Sequence, residues 1–416
     1  MKKISLLLVF VLIVSALTLG ASAVDLDNLK EVELNELTWL EEVFGSLRAF
    51  DVDNAGTAAY CGQINATGIV TKIDLKTGEE VWTYEASNGW APKSVAVDEE
   101  RGYVYVGLTN PDGEDEVSYY AVVKAEDGEE LVAPTEYKFG DGILGSFNGG
   151  FFGKSGDKYC FWNSVNYGAA QLVCFDVTDI NNIKLNADWG TNGVVDMAKL
   201  CGIDADHARY GAEYGQFDPS DNTVWICINQ TGKKGSGVAH ISADGKTLLG
   251  TVDGIAEAYS CEVTDQYVLV VDYNGTSSSV TVVDKATMTV KESGLLNSDV
   301  ATDTYTGIRY ANGEIYIASQ NNQTILTTAG IEAPIETEPE EQDTEAPETQ
   351  PETKPAETKA ETKAETKAED TKKNDTETDA KTNTGSNTGL IIGIIAAVAV
   401  IAAVVVVVIV KKKKKV

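Results

Sequence analysis

IVTKIDLKTGEEVW, residues 69–82, decides the fold. An apolar run meets a polar turn carrying Thr77 and Gly78, and a second run ends on Trp82. This is a strand, a turn and a strand. The same form returns as YAVVKAEDGEEL (120–131), LVCFDVTDINNIKL (172–185), VAHISADGKTLLG (238–250) and VTVVDKATMTV (280–290). Each is preceded by another strand pair: AFDVDNAGTAAYCG (49–62), VAVDEERGYVYVG (95–107), FFGKSGDKYCFW (151–162), QFDPSDNTVWIC (216–227) and CEVTDQYVLVV (261–271). A sixth such pair closes the series at 307–318.

The unit is therefore four antiparallel strands, and few segments show a helical period. The turns at Gly78, Gly128, Asp179, Gly245 and Thr287 lie 50, 51, 66 and 42 residues apart. The mean of ~52 exceeds the common blade repeat, so several loops are enlarged. Radial repetition of such a unit is an all-β propeller. Six blades are expected, with seven as the alternative; a sandwich or two small β domains would be the competing architecture. The sixth unit lacks an outer strand. VELNELTWL (32–40) can supply it, closing the ring and removing its open edges.

At IDLKTGEEVW the chain resembles the quinoprotein-like propellers, also called PQQ-like or YVTN repeats. The match is an aliphatic residue, Asp74, Thr77-Gly78, an acidic pair and Trp82. VDEERGYVYVG (97–107) resembles the preceding hairpin of the same family. The resemblance implies a propeller over most of residues 24–331. It does not imply the quinone. Members that hold pyrroloquinoline quinone use a vicinal disulfide and a metal beside the cofactor, and no adjacent cysteine pair exists here. PQQ is not expected and no cofactor is predicted, with calcium left open as a bound ion.

The ends place this domain. Residues 1–23 carry Lys2 and Lys3, an apolar stretch and Ala21-Ser22-Ala23, the pattern of a secretory signal peptide. Residues 390–410 are uncharged and apolar; at ~1.5 Å per residue they match the ~30 Å core of a bilayer. Five lysines follow within residues 411–416 and hold that end in the cytoplasm. Between them, residues 332–389 have no aromatic residue, five prolines and a repeated AETK. Helical stacking would set like charges four apart, so an extended disordered stalk is expected. The chain reads as a single-pass cell-membrane protein with its N-terminal domain outside.

The formal charge is −31, of which the stalk holds −10; export signal and tail are positive, which leaves −28 on residues 24–331. Such a surface repels phosphate and excludes nucleic acid as a partner. GxSxG, HExxH and P-loop patterns are absent.

The candidate sites are few. His207 lies beside Asp204, Asp206, Tyr210 and Tyr214, just before an inner strand, where a propeller exposes its channel. Two carboxylates and an imidazole there would suit a divalent cation or acid–base work; a polar inter-blade loop is the plainer reading. Trp90 at the start of the second blade, with Trp162, Tyr210, Tyr214, Tyr259 and Tyr305, is a candidate stacking surface for a sugar or peptide, against ordinary packing between blades. Asp51, Asp53 and Asn54 resemble part of a calcium loop but lack the distal Glu. They also coincide with a hairpin turn, for which Asp and Asn are ordinary choices. Among six cysteines, Cys160 and Cys174 are the disulfide candidate, bridging neighbouring strands. The expected function is a membrane-anchored binding or adhesion module for an extracellular protein or glycan. A lyase or hydrolase working in the central channel is the alternative.

Overall fold

The computed structural model describes residues 24–37, 46–64, 68–111, 115–166, 170–202, 212–229, 237–255, 257–273, 277–298, 304–320 and 324–329. The expected signal peptide, stalk, membrane span and lysine tail lie outside them. Among the described residues no helix is long and apolar enough to cross a membrane.

Six antiparallel sheets form a six-bladed β-propeller. The inner strands are Ser46–Val52, Ala91–Asp98, Ser146–Ser155, Ala212–Asp218, Ala258–Val263 and Tyr305–Ala311. Each packs beside the next, and the sixth returns to the first. Blade 3 is the enlarged one. Its third strand, Gln171–Asp176, pairs with two short outer strands, Lys184–Leu185 and Val194–Asp196. A five-residue helix, Met197–Cys201, follows, with Asp196 accepting from the Lys199 N–H at 2.9 Å.

The ring closes through its ends. Asn35–Leu37 pairs antiparallel with Thr324–Thr327, Leu37 opposite Ile325, and becomes the outer strand of blade 6. Asn35 Nδ2 also donates to the Ala329 carbonyl at 2.9 Å, 294 residues away. The chain leading in is anchored too. Val24 and Leu29 are buried, and Lys30 pairs with Glu292 of blade 5 at 2.9 Å.

The core is divided among the six blade interfaces. Phe151, Trp162 and Leu172 of blade 3 meet Val224 and Ile226 of blade 4 in one cluster. Tyr60 and Trp82 of blade 1 meet Val95 and Val104 of blade 2 in another. Apolar sheet faces thus bury one another around the ring instead of sharing one centre.

This geometry explains the repeat. Asp74 accepts from the Lys76 and Thr77 N–H groups at 2.9 Å and fixes the turn that Gly78 completes at φ 72°. Trp82 then reaches the matching turn of blade 2, donating from Nε1 to the Ala125 carbonyl at 3.2 Å. A Cβ on Gly128 of that turn would lie 2.9 Å from the Trp82 ring, and its φ is +74°. Trp189 meets Gly245 in the same way between blades 3 and 4, where a Cβ would come within 2.5 Å. The tryptophan of one blade fits against the glycine of the next.

The structure brings the expected pair, Cys160 and Cys174, together as two thiols. All six cysteines are free, and these two are buried. In register, Cys160 faces Asp176 and Cys174 faces Trp162. The two residues sit on a diagonal of the sheet, and their thiols lie side by side, one hydrogen-bonded to the other.

Candidate functional site in the central channel

Each inner strand carries one β-bulge near its start, and all six fall at one level. The register shifts at Arg48, Lys93, Asn148, Tyr259 and Thr306 in five blades, and within Glu213-Tyr214 in blade 4. Counting back from the hairpin turns, Glu213 matches Arg48. An unpaired extra residue turns its strand locally and re-aims side chains.

The residue after the bulge is small in five blades: Ala49, Ser94, Gly149, Ser260 and Gly307. In blade 4 it is Tyr214, only 1% exposed. Its hydroxyl crosses the ring to blades 1 and 2, where it meets the Arg48 carbonyl and, at 2.7 Å, the Lys93 carbonyl. Gly149 makes room, since a Cβ there would stand 2.6 Å from the Tyr214 ring. Tyr214 plugs the channel.

On one side of the plug in strand order lies the bulge ring. Asn148 Nδ2 donates to Glu213 Oε2. Burial pushes the Glu213 carboxyl up to about 7, against the opposing pull of Arg48, Asn148 and Lys93. The Arg48 guanidinium stands 5.6 Å over the Tyr259 ring, with Nη1 3.4 Å from Gln320 Oε1. Its Nε is buried without a hydrogen-bond partner.

On the other side, three residues beyond the bulges, stand Asp51, Gln216, Glu262 and Arg309. Arg309, 4% exposed, donates from Nε to Asp51 Oδ1 at 2.5 Å and from Nη1 to the Ile308 carbonyl at 2.7 Å. Asp51 Oδ2 accepts from the Val97 N–H of blade 2 at 2.8 Å. Glu262 lies 3.9 Å from Nη1 and accepts from Gln216 Nε2 at 3.0 Å. Burial raises Glu262 to about 7, with Arg309 and Gln216 pulling it down. These groups open on a cavity of about 340 Å3 to which every blade contributes.

Asp204, Asp206, His207 and Tyr210 lie outside the described residues. Tyr214 is in the channel, but as its plug and not as an exposed stacking face. Trp90 packs edge-on against Tyr119 at 4.7 Å and borders the cluster between blades 1 and 2. Asp53 is taken up by its own hairpin, accepting from the Thr57 and Ala58 N–H groups at 2.6 and 3.1 Å. Asn54 gives its N–H to Glu99 at 2.5 Å, and Asp51 pairs with Arg309. The three serve a turn and an ion pair. Among the described residues no three His, Cys, Asp or Glu side chains gather as a metal site.

Arg48, Lys93, Glu213, Glu262 and Arg309 are additions. The signal that finds them is alignment of the inner strands on their hairpin turns, which sets a polar residue of each blade at the bulge level and of four blades three residues further on. No family model matches this chain, and no curated protein matches it.

Proposed function

We propose that this chain is a membrane-anchored, extracellular binding module whose ligand, a protein or a glycan, is received at the propeller's channel. The observation that carries this reading is the cavity beside Arg309, lined by residues of all six blades. A closed apolar ring gains nothing in stability by keeping ionisable groups at its axis, since buried charge is costly to hold. Small-ligand sites are concave, with a few polar groups converging on them. The export signal, stalk and span read from residues 1–23, 332–389 and 390–410 support display outside the cell, and the strong negative charge supports a partner that is not anionic. The likeness of residues 73–82 to quinoprotein-like repeats supports a scaffold of that kind used without the quinone. The reading requires no metal or cofactor.

The test is capture of surface or matrix components on immobilised full-length protein, with and without calcium, alongside protease shaving of intact cells. Specific capture and loss of the domain on shaving are expected. Full protection from protease, or no capture, would reject the reading.

One observation favours a surface enzyme instead. Glu213 is a buried carboxyl raised to about 7 near two cations, the setting of a general acid. Turnover of a glycan substrate that Glu213→Gln abolishes without loss of binding would establish that alternative.

A further inference from the structure

We infer that the bulge-ring mouth of the channel captures the C-terminal carboxylate of a peptide that ends in apolar residues. The inference rests on the binding-module reading and names the end of the partner that makes contact. This mouth is opposite the cavity beside Arg309. Residues 24–331 are strongly acidic, yet two of their basic side chains stand together at the bulge level, Arg48 from blade 1 and Lys93 from blade 2. Their backbone carbonyls share the Tyr214 hydroxyl, so the two strands meet there. Both side chains are half-buried. The opposite mouth is lined instead by Asp51, Glu99, Glu262 and Asp265. The two ends of the channel thus present opposite signs.

The cationic end has donors that reach solvent. Among the described residues the Arg48 guanidinium makes one hydrogen bond, from Nη1 to Gln320 Oε1 at 3.4 Å. Its Nε is sealed, but Nη2 is not among the buried atoms that lack a partner, so it meets solvent. Tyr259 backs the guanidinium at 5.6 Å. Lys93 Nζ stands 3.5 Å from Ser146 Oγ of blade 3. The carboxyl of this ring, Glu213, is 1% exposed and bonded by Asn148. Burial raises it to about 7, so at neutral pH it offers these cations only part of a negative charge. A planar guanidinium fork near an ammonium suits a carboxylate. The acidic field of the domain rejects a polyanion and admits a single carboxylate.

The same face carries an apolar shelf. Ile143 and Leu144 are 37% and 44% exposed, in the loop that leads into Ser146. That loop is held fast. The Asp115 N–H donates to the Gly145 carbonyl at 3.1 Å, and the Gly145 N–H to the Asp115 carbonyl at 2.8 Å. Because Lys93 reaches Ser146, the shelf adjoins the cationic mouth. An exposed apolar pair on a fixed loop suits an apolar side chain of a partner. A sugar acid would meet the cations but gain little from Ile143 and Leu144. A peptide terminus uses both, its carboxylate at Arg48 and its last side chains toward Leu144.

The experiment uses the full chain in phosphatidylcholine nanodiscs and calorimetry. The probes are heptapeptides ending in Leu, Val or Phe, each as the free acid and as the C-terminal amide. A singly sialylated oligosaccharide and polyglutamate are further probes. Comparing acid with amide needs no variant. Arg48→Gln then removes the fork and Leu144→Asp changes an exposed side chain; thermal melts confirm that each variant folds. The free acids should bind and the amides about tenfold more weakly. Arg48→Gln should erase that difference, and Leu144→Asp should weaken the free acids. Equal binding of acid and amide, or a difference that survives Arg48→Gln, would overturn the site. So would free-acid binding untouched by Leu144→Asp, binding confined to the sialylated sugar or polyglutamate, or no binding. In those cases the binding-module reading stands if the immobilised chain still captures a surface component, and falls if it captures nothing.

Discussion

The phenolic hydroxyl of Tyr214 lies 2.7 Å from the backbone carbonyl oxygen of Lys93, two blades away around the ring. One side chain thereby ties three blades together, because the Arg48 carbonyl shares the same hydroxyl. Tyr214→Phe leaves these buried carbonyls short of a donor and should cost about 1–2 kcal/mol. Tyr214→Ala also empties the plug and should cost about 3–5 kcal/mol. Urea denaturation measures both. A Phe variant as stable as the parent would show that the hydroxyl bridge contributes nothing.

Stability should fall as pH rises from about 4.5 to about 7. Glu213 and Glu262 are both raised to about 7 from an ordinary 4.5, burial being the main cause. In that window the unfolded chain has released these protons and the folded chain retains them. Unfolding is therefore increasingly favoured as pH rises, and the loss is complete above the folded value. The limit is on the order of 3 kcal/mol per carboxyl. Glu213→Gln and Glu262→Gln should each flatten the melting temperature against pH in this window. An unchanged slope in both variants would remove these two groups as its source.

Ring closure rests on three residues of strand. Leu37 is 5% exposed and packs in the cluster between blades 6 and 1. Leu37→Ala should cost about 2–5 kcal/mol. Deleting residues 24–37 should do more, because the Thr324–Thr327 edge is then bare. Such edges pair with one another. Light scattering should report concentration-dependent association of the truncated chain and a monomeric parent. A truncated chain that stays monomeric with the parent's melting temperature would contradict the closure.

Thiol titration checks the cysteines. Without reductant, all six should react with a disulfide reagent in denaturant. In the folded chain none should react quickly. Five are buried, and burial pushes the half-buried Cys201 up to about 12, leaving almost no thiolate at neutral pH. Four reactive thiols in denaturant would restore the Cys160–Cys174 bridge.

The architecture was legible because hairpin chemistry is local. Asp74 and Gly78 build their turn from neighbours, so a repeat of such turns reveals the blades before any contact is known. Even the closing strand was readable, since blade 6 had a missing edge and residues 32–40 had no partner. The channel was less legible. A bulge breaks the two-residue alternation on which strand reading depends, and it does so at the residues that face the axis. Arg48 and Glu213 look like scattered polar residues until the inner strands are aligned. Trp90 illustrates the converse ambiguity. An aromatic residue at the start of a blade has the same sequence signature whether it serves a ligand or packs on a neighbour such as Tyr119. Cys160 and Cys174 sit in adjacent strands as expected, two residues apart in register and so on one face, where their thiols meet.

The outer strand of blade 6 has a consequence for the order of events during synthesis. Residues 35–37 are made early and residues 324–327 late. The first segment must therefore wait, unpaired, while five blades are made after it. The ring cannot finish until the whole propeller has emerged. Damage at either terminus of the domain strikes the same sheet, so two deletions nearly three hundred residues apart should produce one and the same defect.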